Sequence, residues 1–133
     1  MILYFQINPK NNTPLYEQLI HQVKEMYAKG LLKPNEKLPS VRELSSQMVI
    51  NPNTVSKAYQ ELERQGVITT VRGKGTFVSE ELIQSHTPQQ EENLKQSFKQ
   101  VIIDSYYAGF SKQELLRWFN DVYEEMEGEN DES

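Results

Sequence analysis

The 133-residue chain has no cysteine, so neither a disulfide nor a thiolate-held metal can form. That absence suits a reducing compartment, and the chain is expected to stay in the cytoplasm. No apolar run approaches the ~20 residues that a membrane-spanning helix needs, so no membrane partner is expected. The opening MILYFQINPK has no basic segment ahead of an apolar one and does not read as a secretory signal. The two histidines, His21 and His86, stand far apart without a ligand cluster, which gives no metal site to expect. There is no Ser–His–carboxylate set, and Gly73-Lys74-Gly75 is too short to be a phosphate-binding loop. Neither an enzyme nor a cofactor is expected.

A surplus of positive charge is also missing, since the formal net charge is -5. The average hides a split. Residues 1–79 carry ten Lys/Arg and six Asp/Glu, a net +4, whereas residues 80–133 carry four and thirteen, a net -9. Such asymmetry predicts one part that meets nucleic acid and one that does not, although an acidic tail on an ordinary domain would give the same count. With 37% hydrophobic residues, the length suits one compact domain with an appendage.

What is present is helical periodicity with clear punctuation. Ile2, Leu3, Tyr4, Phe5 and Ile7 are β-prone and predict an edge strand or an arm. Thr13-Pro14 predicts a helix start, Thr as the cap and Pro at the first helical position. Leu15, Leu19, Ile20, Val23, Met26 and Tyr27 then recur at helical spacing up to Gly30. Lys33–Glu36 is a turn in which Asn35 can take a positive φ. Ser40 and Glu43 form a capping box for a short helix ending at Met48. After the tight link Val49–Pro52, a third helix is predicted to run to Gln65, with Asn51 as its cap. Val67–Val71 and Thr76–Ser79 predict a hairpin around the four-residue loop Arg72–Gly75. Two further helices follow the polar linker 80–88; Leu94, Phe98, Val101, Ile102 and Tyr106 share a face in the first. Ser111 and Glu114 cap the second, which carries Leu115, Phe119, Val122 and Met126. The acidic end, 128–133, has no visible core and predicts disorder.

Two short helices joined tightly and followed by a hairpin describe a winged helix-turn-helix, mainly α with a small β-wing. In the third helix Val55, Ala58, Tyr59 and Leu62 must face inward. Asn53, Ser56, Lys57, Gln60 and Arg64 then share the outward side, and none of the five is acidic. The N-terminal part of such a helix enters the major groove, which makes Asn53, Thr54, Ser56 and Lys57 the candidates for base contacts. An ordinary solvated helix face stays open as the alternative. Arg72 and Lys74 put two cations on the hairpin loop, where Gly73 allows close backbone approach and a narrow minor groove would attract the charge. Arg42, in the first turn of its helix, opposes the helix dipole; it awaits either a phosphate or a salt bridge with Glu36 or Glu43.

The segments LPSVRELSSQM (38–48), PNTVSKAYQELERQGVI (52–68) and RGKGTFV (72–78) resemble the winged-helix domain of the GntR family of bacterial regulators. PLYEQLIHQV (14–23) and KPNEKLPS (33–40) extend the resemblance upstream, so that it covers about residues 7–79. The short two-helix tail resembles the YtrA-like branch, whose members lack a large effector domain. The resemblance implies that Arg42 contacts phosphate, that Asn53, Thr54, Ser56 and Lys57 lie in the major groove, and that Arg72, Gly73 and Lys74 form the minor-groove wing. It also implies repression from a palindromic operator on double-stranded DNA. Pro52 departs from the pattern, standing where many members carry a DNA-contacting Arg; Asn35 replaces the usual turn Gly.

The apolar stripes of residues 89–127, with Trp118 and Tyr123 near them, exceed what a two-helix hairpin can bury. They predict a homodimer through the C-terminal helices, or else packing back onto the N-terminal domain (1–79). A winged helix that binds protein would present an apolar or acidic outward face on its third helix, and a fused aminotransferase-like enzyme would need hundreds more residues. A structural scaffold is the remaining alternative.

Overall fold

The computed structural model describes residues 6–80 and 86–131. The elements run α1 (Leu15–Ala28), β1 (Lys37–Leu38), α2 (Val41–Met48), α3 (Pro52–Arg64), β2 (Ile68–Val71), β3 (Gly75–Val78), α4 (Pro88–Tyr107) and α5 (Lys112–Asp131). This is the winged helix-turn-helix expected, followed by two long helices. The strands form an antiparallel sheet in the order β1-β3-β2, with Leu38 opposite Thr76 and Val71 opposite Gly75.

One core holds the N-terminal elements together. Leu19, Ile20 and Val23 of α1 meet Leu44 of α2, the stripe Val55, Ala58, Tyr59 and Leu62 of α3, and Ile68 and Val78 of the sheet. The α3 stripe follows i, i+3, i+4, i+7 spacing, and each of its residues is buried. Tyr59 adds a polar tie, its hydroxyl donating to the Pro39 carbonyl oxygen at 2.7 Å. Burial, reinforced by the charge of Glu43, pushes the Tyr59 phenol up, so the group stays a protonated donor. The contact links α3 to the residue just ahead of the Ser40–Glu43 capping box, whose two hydrogen bonds are both made.

Several local expectations hold. Asn51 caps α3 with Pro52 in its first turn, Gly30 follows α1 with φ of 76°, and Asn35 takes φ of 67°. Ser111 and Glu114 bond reciprocally at the start of α5.

Other details differ from the expectations. Pro14, not Thr13, occupies the N-cap of α1, and it has no side-chain cap. The buried Gln18 side chain takes over the local polar work: it accepts from the Asn8 amide and donates to the carbonyls of Asn8 and Thr13. The wing loop is three residues, because Gly75 pairs with Val71 inside the sheet. The two-residue strand β1 was not anticipated, since it is too short to show alternation. Gln6 and Ile7 are not in a strand, and residues 1–5 of the expected arm lie outside the described residues. Backbone helix continues in α5 to Asp131, past Met126 where the apolar spacing stops and into the segment expected to be disordered.

Val49, in the turn between α2 and α3, takes φ of 54° and ψ of 50° while 88% exposed. A β-branched side chain in the left-handed region costs roughly 1–2 kcal/mol, and no packing offsets that cost here. Replacing Val49 by Asn, which tolerates this conformation, is expected to stabilise the fold by about 0.5–1 kcal/mol. Thermal unfolding by circular dichroism reads this directly; an unchanged or lower midpoint would show that no strain is stored in the turn.

Candidate nucleic-acid interface

The exposed side of α3 begins with its cap. The Asn51 side chain accepts from the Asn53 amide at 2.8 Å, and its backbone carbonyl accepts from Thr54 at 3.0 Å. Pro52 has no amide to satisfy. These bonds fix the first turn and leave the Asn53 side chain in solvent. Thr54 and Ser56 are half-buried beside the core stripe, while Lys57, Gln60 and Arg64 are exposed. The Ser56 hydroxyl accepts a long bond of 3.5 Å from Gln60.

The two long cations on this face have different partners. Arg64 is committed to Glu61: its Nε donates to the carboxylate at 2.9 Å, and a terminal guanidinium nitrogen bonds the second oxygen. Gln65 donates to the same carboxylate at 2.8 Å. The outward side of α3 is therefore less uniformly cationic at its C-terminal end than residue types alone suggest. Lys57 instead lies over the ring of Tyr16 on α1, its Nζ 3.9 Å from the ring centroid. Among the described residues Lys57 forms no ion pair, although Glu17 and Glu61 line the same α1–α3 trough.

Arg42 is exposed at the start of α2. Both acids that could have neutralised it are turned to backbone amides: Glu43 accepts from Ser40 and Glu36 accepts from Lys33 at 2.9 Å. Hydrogen bonds from the Ser40 backbone and hydroxyl hold the Glu43 carboxyl below its usual range. Among the described residues Arg42 has no ion pair, which removes the salt-bridge alternative.

On the wing, Arg72, Gly73 and Lys74 are all exposed. Gly73 sits at φ of 79°, and the Lys74 amide closes the turn onto the Val71 carbonyl at 2.9 Å. Lys37 of β1 lies against this hairpin: a Cβ on Gly75 would stand 3.0 Å from the Lys37 Cε. Sequence reading missed Lys37 because the short strand that brings it there was not visible. It missed Tyr16 as well, because nothing local signals a ring on α1 that meets a lysine on α3. No cluster of His, Asp or Glu suited to a metal occurs among the described residues, and none of their helices is long and apolar enough to cross a membrane.

Residues 15–78 match the model of the bacterial regulatory proteins, gntR family. The HTH-type transcriptional repressor YtrA of Bacillus subtilis (strain 168) is 47% identical over 123 residues, spanning 92% of this chain and 95% of its own length. Among solved structures, a transcriptional antiterminator from Listeria monocytogenes EGD-e has a TM-score of 0.84 at 40% identity, covering 93% of this chain and 92% of that one. YtrA from Sulfolobus acidocaldarius, a GntR-family transcription factor, has a TM-score of 0.53 at 34% identity, with 92% and 98% covered.

The Glu61 cluster generates a pH prediction. Its hydrogen bonds from Arg64 and then Gln65 lower the carboxyl to about 2. A depressed carboxyl contributes stability that is fully present above its ordinary range and is lost as pH falls through the folded value. The Glu61 carboxyl carbon, followed by NMR, should therefore titrate only near pH 2, and Arg64→Ala should move its midpoint upward. A wild-type midpoint in the ordinary range would mean that the pair does not persist in solution.

Proposed function

The chain belongs to the GntR family of bacterial regulatory proteins, and we propose that it represses transcription in the cytoplasm by binding a palindromic operator as a homodimer. It is a DNA-binding transcription regulator; its family and relatives are transcription regulators, not enzymes. In the proposed complex the N-terminal half of α3 lies in the major groove, with Asn53, Thr54, Ser56 and Lys57 toward the bases. Asn can bond adenine bidentately, and Lys can donate to guanine. Arg42 meets phosphate, and Arg72, Gly73 and Lys74 enter the minor groove.

One observation carries this reading. Arg42, Arg72 and Lys74 are exposed cations without ion-pair partners among the described residues, and the two acids nearest Arg42 in sequence are occupied by backbone amides. Cations left unneutralised in a chain of net charge -5 suit an external polyanion.

The proposed division of labour assigns residues 1–79 to DNA, 80–88 to a linker, 89–127 to dimerisation and 128–133 to an acidic tail. Support for the dimer comes from the apolar faces of α4 and α5. Leu94, Phe98, Val101 and Tyr106 are each more than half exposed, as are Leu116 and Val122 on α5. α5 also packs against α1, but these side chains remain uncovered. Large apolar side chains exposed in this number are rarely left to water. A second copy supplies a matching surface through a two-fold axis, the same symmetry that a palindrome requires.

Two experiments test the proposal. DNA affinity should fall with salt at a log–log slope of about -0.9 per phosphate contacted, and Arg72→Ala should flatten the slope while preserving the major-groove consensus. A salt-independent affinity, or a consensus altered by Arg72→Ala, would reject the assigned contacts. Sedimentation equilibrium of the full chain should give a two-chain species, converted to one chain by Phe98→Asp with Val101→Asp; a monomeric wild type at micromolar concentration would exclude the dimer.

A further inference from the structure

We propose that Tyr16 is a specificity-determining residue that acts through Lys57, its ring presenting the lysine ammonium to one base position of the operator. The inference rests on the proposed base contact of Lys57.

A lysine side chain has four rotatable bonds, and immobilising it on binding DNA costs affinity. Here the ammonium already lies 3.9 Å from the Tyr16 ring centroid, within cation–π range. The ring is itself fixed. Tyr16 is half-buried against the core, on a helix that packs directly on α3, and its hydroxyl donates to Glu17 at 3.2 Å. Donation to a carboxylate enriches the phenol oxygen in electrons and strengthens the negative face of the ring.

The choice of partner matters. A carboxylate on Lys57 would neutralise the charge and would have to be displaced before a base could bind. Glu61, the acid across the trough, is occupied by Arg64 and Gln65. An aromatic face covers one side of the ammonium and leaves its charge intact, with N–H groups free to donate elsewhere. Tyr16 thus orders the lysine without neutralising it, and it does so from a helix outside the helix-turn-helix unit.

The test is selection of binding sites from a random duplex library by the full-length protein, with affinities measured on the selected duplex. Tyr16→Leu should weaken binding by roughly three- to tenfold and flatten preference at the same base position that Lys57→Ala flattens. The double variant should be no weaker than Lys57→Ala alone, and Tyr16→Phe, which keeps the ring, should retain the wild-type preference. Thermal melts establish that each variant folds; should Tyr16→Leu not fold, Tyr16→Met makes the same comparison. If Tyr16→Leu weakens every duplex equally, or its loss adds fully to that of Lys57→Ala, the positioning role is wrong. If Lys57→Ala changes the consensus and Tyr16→Leu leaves it intact, positioning alone fails. If Lys57→Ala leaves the consensus intact, the base contact itself is wrong and the inference falls with it.

Discussion

The structure depends on α3 burying one side completely so that it can offer the other. Val55, Ala58 and Leu62 are wholly inaccessible, and Tyr59 nearly so. Full burial of a side chain such as Val or Leu contributes roughly 1.5–3 kcal/mol, which is large beside the marginal stability of a small domain. The helix therefore cannot rotate about its axis without exposing that stripe. The hydroxyl of Tyr59 on the Pro39 carbonyl reinforces the constraint by tying the middle of α3 to the start of α2. The face on which Asn53 and Lys57 emerge follows from burial elsewhere on the same helix, while the Lys57 ammonium also meets the Tyr16 ring.

Charge is arranged by a complementary economy. Near the candidate interface, carboxylates serve as local acceptors: Glu36 and Glu43 close turns or caps on backbone amides, and Glu61 binds Arg64 and Gln65. An acid used this way stabilises a helix start or an ion pair, and among the described residues it forms no ion pair with Arg42 or Lys57. The large negative surplus lies beyond residue 79, where it would oppose DNA only if α4 and α5 approached the same groove. The net charge of the chain thus says little about the field at the face that matters.

Much of this was legible in the sequence because its signals are local. Ser40 with Glu43, Asn51 with Pro52, and Asn35 before its acidic neighbour each specify backbone geometry within a few residues, and all three hold. Periodicity likewise revealed the buried side of α3. What escaped depends on partners far apart in the chain. The pairing of Lys37 with Phe77 needs only two residues of strand, too few to register as alternation. Lys57 over Tyr16 needs the α1–α3 packing angle, which periodicity does not give. The three-residue wing loop was misjudged by one position because Gly75, a usual loop residue, pairs within the strand at φ of 125°. Periodicity places Arg64 on the outward side of α3, but it does not show that Glu61, three positions earlier, bonds it around the helix.

Pro52 sharpens the consequences of this arrangement. The family resemblance puts an Arg there in many members, and a proline cannot replace its donors. With that cation gone and Arg64 neutralised near the other end of α3, Lys57 is the remaining unneutralised cation on the helix. The positive end of the helix dipole still lies at Asn51–Asn53 and attracts phosphate, but it carries no information about bases. On the proposed docking, discrimination must then fall on few groups, chiefly the Asn53 amide and the Lys57 ammonium. A reader with so few donors gains more from having each of them ordered in advance than one with many. On that docking, the tyrosine ring beneath the lysine supplies such order, which a solvated and freely rotating side chain would lack.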